Sequence, residues 1–187
     1  MLSQKCIAGI KRHHEEYRKK KNSSWYCDDF GTVHIPLSNG QEALIDKEDW
    51  SMVACYVWHP KKDKNSLTCY ASANSYTKPR RSILLHRLIH PVRKGKEVDH
   101  IDRNGLNCRR SNLRDATRVT NMMNVRWKRS KGYKGVRFRC GSYHVRIKIA
   151  GHLKEIYGFK TAELAALAYN EMAKREYGDY ALLNEIK

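Results

Sequence analysis

Two repeating patterns follow one another in the last third of the sequence and restrict the folds open to it. Apolar residues alternate with basic and polar ones over 135–139, 143–149 and 153–159, and short glycine-containing turns separate these stretches. This period of two predicts three antiparallel strands, because successive side chains of a strand point to opposite faces. From Thr161 to Gly178 the apolar residues recur at helical spacing instead. The two patterns together predict a three-stranded antiparallel sheet packed on one helix.

The faces of this predicted unit follow from the same alternation. Thr161 is a candidate N-cap. The helix is expected to pack on the sheet through the apolar residues Leu164, Ala165, Ala168, Tyr169 and Met172. The basic side chains then point outward, on a sheet whose width fits the major groove of DNA; the alternative is an ordinary solvated face. The residues expected on this outward face are Arg137, Arg139, Arg146 and Lys148, with Lys134, Tyr143 and Lys154 as further candidates.

The net charge of +18 favours a polyanionic partner, of which nucleic acid is the commonest. The excess is uneven: residues 22–85 carry seven basic and seven acidic side chains, so the surplus lies in 1–21 and 86–187. Residues 1–21 form a basic arm, either helical or disordered, that either contacts phosphates or is a solvated charge run. The neutral stretch is expected to be a scaffold.

The six cysteines include no C-x-x-C pair, so their spacing predicts neither a zinc finger nor a dense disulfide framework. We expect reduced thiols in a cytoplasmic protein. Residues 1–21 lack the apolar core of a signal peptide, and no stretch approaches the ~20 apolar residues of a membrane span. No membrane partner is therefore expected.

The scaffold pattern predicts several short elements. Alternation over 33–37, the turn signal at 38–40 and the apolar run 43–45 predict a hairpin. A helical turn is expected over 47–54, with Asp46 as its candidate N-cap. Residues 60–66 read as a loop, and 67–76 and 82–89 read either as further strands or as a strand leading into a short helix.

The chemistry-bearing residues lie between 86 and 127. Asp99 and His100 end a predicted strand, Asn112 follows twelve residues after His100, and Asn121 lies in a helix predicted over 117–125. The unperturbed pKa of histidine suits His100 to act as a general base in phosphodiester hydrolysis. Asp99 and Asn121 offer hard oxygen ligands, which suit Mg²⁺ or Mn²⁺. Asp99 and His100 can share a site only if the strand ends or bends there.

The segment 84–125 resembles the HNH nuclease family, in its branch of phage and intron-encoded homing endonucleases. The resemblance rests on DHID at 99–102, SNLR at 111–114 and the later Asn121. It implies a ββα-metal hairpin in which Asp99 and Asn121 hold the metal, His100 is the general base and Asn112 braces the intervening loop. Asparagine at 121 matches the HNN variant of the motif and favours Mg²⁺ over zinc. Arg87 either clamps the scissile phosphate or belongs to a helix that packs on the site.

The segment 132–187 resembles the AP2 DNA-binding domain. The matching landmarks are YKGV at 133–136, GFKTAELAALAY at 158–169 and GDYALLN at 178–184. In that family the sheet contacts DNA, and the resemblance places Lys134, Arg137, Arg139, Lys148 and Lys154 at contacting positions. The first hairpin is one residue shorter here, and Ile156 stands where the family has a sheet tryptophan, so the family's base preference does not transfer.

The sequence as a whole predicts an α+β protein with three parts. These are a basic arm at 1–21, a mixed scaffold with the nuclease hairpin at 22–127, and an AP2-like sheet and helix at 128–187, with a boundary in the glycine-containing stretch 128–135. The expected function is that of a targeted endonuclease on double-stranded DNA, acting as a monomer and nicking one strand. The alternatives are a DNA-binding regulator that has lost cleavage and, less favoured by the few aromatic residues, an RNA-binding protein.

Overall fold

A computed structural model describes residues 25–62, 68–75, 78–125, 132–149 and 151–186. The described residues form small sheets with few helices, which confirms the α+β class. They fall into two compact units that divide between Asp115 and Ala116. Within these residues, no helix combines the length and apolar character needed to cross a membrane.

The first unit begins with a three-stranded antiparallel sheet of β1 (Tyr26–Cys27), β2 (Thr32–Pro36) and β3 (Glu42–Asp46). Val33 pairs with Ile45 and Ile35 with Ala43, and all four side chains are buried. This is the predicted hairpin: alternate residues bury one face of the sheet. Gly40 in the turn has a φ of 78°, which favours glycine.

A short 3-10 turn at Lys47–Asp49 and the helix α1 (Trp50–Val53) follow β3, as the sequence predicts. The backbone of Asp46 is extended at the N-cap position, but its side chain makes no capping hydrogen bond. The capping prediction is therefore wrong. The carboxylate instead accepts hydrogen bonds from Arg109 Nε at 3.0 Å and from Arg110 N at 2.7 Å.

A second antiparallel sheet has the order β4 (His59–Lys62), β5 (Cys69–Asn74) and β6 (Ser82–Leu84), and α2 (Leu85–Ile89) follows β6 directly. The sequence predicts a loop at 60–66, yet Pro60 and Lys61 pair with Ala71 and Tyr70. This prediction is wrong for 60–62, because β4 is an edge strand, where proline and lysine are tolerated. Residues 63–67 lie outside the described ranges.

The last element of the first unit is a hairpin of β7 (Glu97–His100) and β8 (Leu113–Ala116). The connection 101–112 ends in a 3-10 turn at Arg110–Asn112. Val98, Leu106, Cys108 and Leu113 are buried in the same core as the side chains of the two sheets. The hairpin and its connection are therefore packed against the scaffold through these four side chains.

The second unit contains α3 (Arg118–Asn124), the strands β9 (Val136–Arg139), β10 (Ser142–Ile149) and β11 (His152–Phe159), and α4 (Ala162–Tyr177). The antiparallel sheet has the order β11-β10-β9. Thr161 accepts a hydrogen bond from Leu164 N, which confirms the predicted cap. Gly135 has a φ of 75°, and a Cβ there would lie 2.2 Å from the Tyr169 ring, so the sheet requires glycine at this contact.

The predicted packing face of α4 is partly wrong. Leu164 is half exposed, and the buried residues of the helix are Ala165, Ala166, Tyr169, Ala173 and Tyr177. Val145 and Ile147 of β10 are buried against this stripe. The alanines permit a close approach between helix and sheet, which moves the contact stripe away from the leucines.

The division between the units lies before the predicted boundary at 128–135. Met123 of α3 packs on the core of the second unit, and its carbonyl oxygen accepts a hydrogen bond from Leu182 N at 3.2 Å. The helix that carries Asn121 therefore belongs to the second compact unit. The functional ranges 22–127 and 128–187, and the AP2-like character of the second, stay predictions.

Candidate active site

Asp99 and His100 lie at the end of β7 and are both buried, with exposures of 4% and 5%. The strand stops at His100, and the chain turns at once: Arg103 N donates to His100 O at 2.9 Å. Arg103 has a φ of 67°, which fits this tight reversal. The strand end that a shared site requires is therefore present.

Asn112, at the end of the connection 101–112, forms hydrogen bonds with the residues that follow His100. Its Oδ1 accepts from Asp102 N at 3.0 Å, and its Nδ2 donates to Asp102 Oδ1 at 2.9 Å and to Asn107 O at 2.8 Å. Its backbone carbonyl accepts from Ile101 N at 2.9 Å. These four bonds form the brace that the resemblance implies for Asn112.

Two asparagines of the loop, Asn104 and Asn107, make local hydrogen bonds. Asn104 Oδ1 accepts from Leu106 N at 3.1 Å, and Asn107 Nδ2 donates to Asp102 Oδ2 at 2.7 Å. Both asparagines thus shape the loop locally.

Arg114 of β8 contacts Asp99, and sequence reasoning missed it. Its Nε donates to Asp99 Oδ2 at 2.8 Å, and its Nη2 lies 2.8 Å from the same oxygen. Arg114 lies two residues beyond Asn112, the last residue of the 3-10 turn, and β8 brings its side chain to Asp99 of the paired strand β7. The cation lies against a nearly inaccessible carboxylate, which would otherwise carry a large desolvation cost.

The His100 ring is enclosed by side chains from three other segments. The His86 ring meets it edge to face with centroids 5.0 Å apart, and the Tyr70 ring lies at 5.8 Å. Cys108 Sγ lies 4.0 Å from His100 Nε2. Burial lowers the pKa of His100 to about 4, although Asp102 and Asp99 act in the opposite direction. His100 is therefore neutral near pH 7, as a proton acceptor must be.

His86 is the second residue that sequence reasoning left without a role. It is buried, and within the described residues its Nδ1 has no hydrogen-bond partner. Burial lowers its pKa to about 3, with smaller contributions from His100 and Arg87. The neighbouring Arg87 is exposed on α2. Thus α2 packs His86 on the site and presents Arg87 to solvent, and the phosphate-clamping role of Arg87 stays a prediction.

The donor set at this hairpin fits a hard cation. In the part of the chain that the structure describes, no group of three or more His, Cys, Asp and Glu side chains could hold a metal. Asp99 would offer a metal its carboxylate oxygens, of which Oδ2 also contacts Arg114. Such ligands suit Mg²⁺ or Mn²⁺ better than zinc. Asn121 lies on α3 in the second unit, and its role as a ligand stays a prediction.

Comparisons with known proteins bear directly on this hairpin. A model of the HNH endonuclease family matches residues 84–123. Over 180 residues the chain is 33% identical to an uncharacterized HNH endonuclease, L560, of Acanthamoeba polyphaga mimivirus, and the similarity spans 89% of the chain and 90% of that relative. The chain belongs to the HNH endonuclease family. No solved structure matches it.

Family membership makes this HNH endonuclease a DNA endonuclease and confirms the resemblance of the segment 84–125 to the HNH family, while its place in the homing branch stays a prediction. The matched residues contain α2, β7, the braced loop and β8, so the matched segment coincides with the geometry described above. HNH nucleases generally use divalent metal ions, in agreement with the oxygen donors present here.

The second unit of the HNH endonuclease carries a basic surface on its sheet. Val145 and Ile147 face α4, so Arg146 and Lys148 lie on the opposite face. Arg137 is opposite His144 in the register, and Arg139 is opposite Ser142. We call Arg137, Arg139, Arg146 and Lys148 the basic face; all four were predicted to point outward. Glu155, which was not predicted, joins it through an ion pair with Arg146 at 3.2 Å.

The other three predicted outward residues lie elsewhere, so their predicted placement is wrong. Tyr143 packs on the helix side with the core of the second unit. Lys154 is opposite Ile147 in the register and hence on the helix side of the edge strand β11. Lys134 donates from Nζ to the carbonyl oxygens of Met123 and Val125. Tyr143 alternates in phase with Val145 and Ile147, so strand alternation itself favours the helix side, whereas the hydrogen bonds of the Lys134 ammonium are not visible in the sequence pattern.

Proposed function

We propose that this protein is a divalent-metal-dependent endonuclease of homing type that nicks double-stranded DNA at a targeted sequence. The observation that carries the proposal is the buried Asp99–His100 pair at a strand end, closed by the Asn112 brace and lying within the matched HNH segment.

In the proposed reaction, His100 accepts a proton from the attacking water. Its burial keeps the imidazole neutral, and the Asn112 brace holds the backbone that follows it. Asp99 and Asn121 would hold the ion, which when bound supplies charge stabilisation to the phosphate in the transition state. Arg87, exposed on α2, would bind a phosphate oxygen.

Targeting is assigned to the basic face. Its exposed guanidinium and ammonium groups suit contact with phosphates and with acceptor atoms in the major groove. The AP2-like reading supports double-stranded DNA as the partner. The described residues contain one nuclease hairpin, which supports nicking by a monomer. A relative encoded by a virus fits action in the cytoplasm of a host cell.

The proposal is tested by incubating supercoiled plasmid with the full-length protein in Mg²⁺, in Mn²⁺ and in EDTA. We expect conversion to open circles in either metal and none in EDTA. Full conversion of the plasmid in EDTA would exclude the metal-dependent reaction. The absence of nicks in every member of a library of duplexes would favour a DNA-binding protein that does not cleave.

A further inference from the structure

The loop that carries the nuclease motif is attached to the N-terminal scaffold, for which the sequence suggests no chemistry. Leu44 N donates to Leu106 O at 2.8 Å, and Cys108 N donates to Leu44 O at 2.8 Å. Leu44 and Asn107 form a parallel bridge. The loop therefore joins the edge of the sheet of β1, β2 and β3 through a single parallel bridge at β3.

Two scaffold carboxylates hold the next residues of the loop. Asp46 accepts from Arg109 Nε and from Arg110 N, at 3.0 and 2.7 Å. Asp49 accepts hydrogen bonds from Arg110 Nη2 at 2.6 Å and from Arg110 Nε at 3.0 Å, so the guanidinium contact is bidentate. Such paired contacts fix orientation as well as distance.

Asp49 and Arg110 differ in solvent exposure, and this difference shows that Asp49 is the partner that requires the ion pair. The Asp49 side chain is 4% exposed, whereas that of Arg110 is 57% exposed. A carboxylate removed from water requires a compensating charge or hydrogen bonds, while an exposed guanidinium does not. Asp49 is thus a buried anchor in the scaffold that requires the Arg110 guanidinium as its partner, and Arg110 reaches it from the exposed surface of the loop.

This anchor connects to the reactive end of the hairpin through a short covalent path. Arg110 begins the 3-10 turn that ends at Asn112. Asn112 in turn bonds the backbone of Ile101 and Asp102, directly after His100. A shift of Arg110 would therefore be passed to the backbone that orients the His100 ring.

We propose that Asp49 is a positioning residue for cleavage, which acts through Arg110 and Asn112 on His100, with Asp46 as its auxiliary. The scaffold then serves as a brace that sets the geometry of the nuclease loop. This inference rests on the proposed role of His100 as the base. A misplacement of reacting groups by about 1 Å can cost up to 10²-fold in rate, so a brace of this kind affects turnover more than substrate binding.

The test compares Asp49→Asn with the matched control Glu48→Gln in the full-length protein. Glu48 is the preceding residue and is exposed, and its charge acts on Arg110 more weakly than those of Asp49 and Asp46, so its variant removes the same formal charge while the bidentate Asp49–Arg110 contact stays in place. With plasmid in Mg²⁺, Asp49→Asn is expected to lower kcat by about 10- to 100-fold with KM nearly unchanged. Glu48→Gln should retain both constants. Unchanged kcat in folded Asp49→Asn, or a loss confined to KM, would overturn the proposal.

Arg110→Lys covers the case in which Asp49→Asn fails to fold, because the Arg110 side chain lies largely in solvent. Arg110→Lys keeps the charge but loses the bidentate contact, so we expect a kcat between those of wild type and Asp49→Asn. Amide hydrogen exchange supplies a readout that requires no cleavage: residues 101–112 should exchange faster in both variants, with the sheet of β2 and β3 unchanged. Unaltered exchange in 101–112 contradicts the brace even if the protein cuts DNA. Faster exchange in a protein that never cuts supports the brace and rejects the proposed function.

Discussion

The nuclease hairpin and the basic face differ in how their polar side chains are held. At the hairpin, Asp99, His100 and Asn112 are buried and engaged by neighbours from β5, α2, β8 and the loop itself. On the basic face, Arg137, Arg139 and Lys148 are exposed. Bond cleavage requires fixed geometry, whereas binding a polyanion requires charge that adapts to the partner. The contrast suggests that the two regions divide the work of cutting and targeting.

The largest effect on cleavage is expected from His100→Ala. Loss of the proposed base should reduce cleavage by about 10²- to 10⁴-fold, because general-base assistance contributes that much, while the affinity for DNA stays nearly intact. His152→Ala serves as the control, since His152 is exposed in the second unit. Nicking and gel-shift assays on the same duplex measure both quantities. Retention of most of the cleavage rate would remove His100 from the mechanism.

A large effect on metal dependence is expected from Asp99→Asn. Loss of the anionic ligand should raise the Mg²⁺ concentration needed for half-maximal nicking and lower the maximal rate. Asp115→Asn is a matched control on β8, because Asp115 pairs with His90 on the surface at 2.7 Å. A Mg²⁺ titration of the nicking rate distinguishes them. Identical titration curves for Asp99→Asn and wild type would exclude Asp99 as a ligand.

How far the sequence predicts this site depends on whether the contacts are local. Alternation correctly predicts β9, β10 and β11, and the spacing of Asp99, His100 and Asn112 identifies the hairpin, since these signals lie within one stretch of chain. His86 and Tyr70 meet His100 only through tertiary packing of α2 and β5, which no periodicity reports. The same holds for the Asp49–Arg110 pair, whose partners are far apart in sequence.

Two further misses have different physical causes. Alanines and leucines are both apolar, so the helical spacing of α4 does not show which of them face the sheet. The sequence therefore places Leu164 on the buried face, although the structure shows it half exposed. Proline and lysine at 60–62 disfavour a central strand but are tolerated in the edge strand β4, so propensity alone predicts a loop.

A smaller effect is expected from Arg139→Gln and Lys148→Gln on the basic face. Each variant should weaken DNA binding and reduce the slope of log K against log salt by about one, because each phosphate contact releases counterions. Lys154→Gln provides the control, since Lys154 lies on the helix side of the edge strand. Equal slopes for all three variants would show that charge position on the sheet is immaterial.

The last effect concerns stability rather than cleavage and separates the buried site from the exposed face. The pKa of His86 is about 3 in the folded protein and near 6.5 when unfolded. Below pH 6.5 the unfolded chain therefore binds a proton that the folded protein excludes, and stability falls as the pH is lowered. Between pH 7 and pH 4.5 the protonation of this histidine in the unfolded chain should lower the free energy of unfolding by about 2 to 3 kcal/mol. Urea unfolding of His86→Gln should show a shallower pH dependence than wild type, and an equal dependence would reject this account.

The division between cutting and targeting is tested most directly by mapping cleavage on a duplex library. The comparison is wild type against a variant with glutamine at Arg137, Arg139, Arg146 and Lys148. Substitution is preferable to deletion, because Met123 of α3 packs on the core of the second unit. We predict that wild type nicks at one preferred sequence, and that the variant nicks weakly, in a metal-dependent manner and without preference. An unchanged sequence preference in the variant would contradict the assignment of targeting to the basic face.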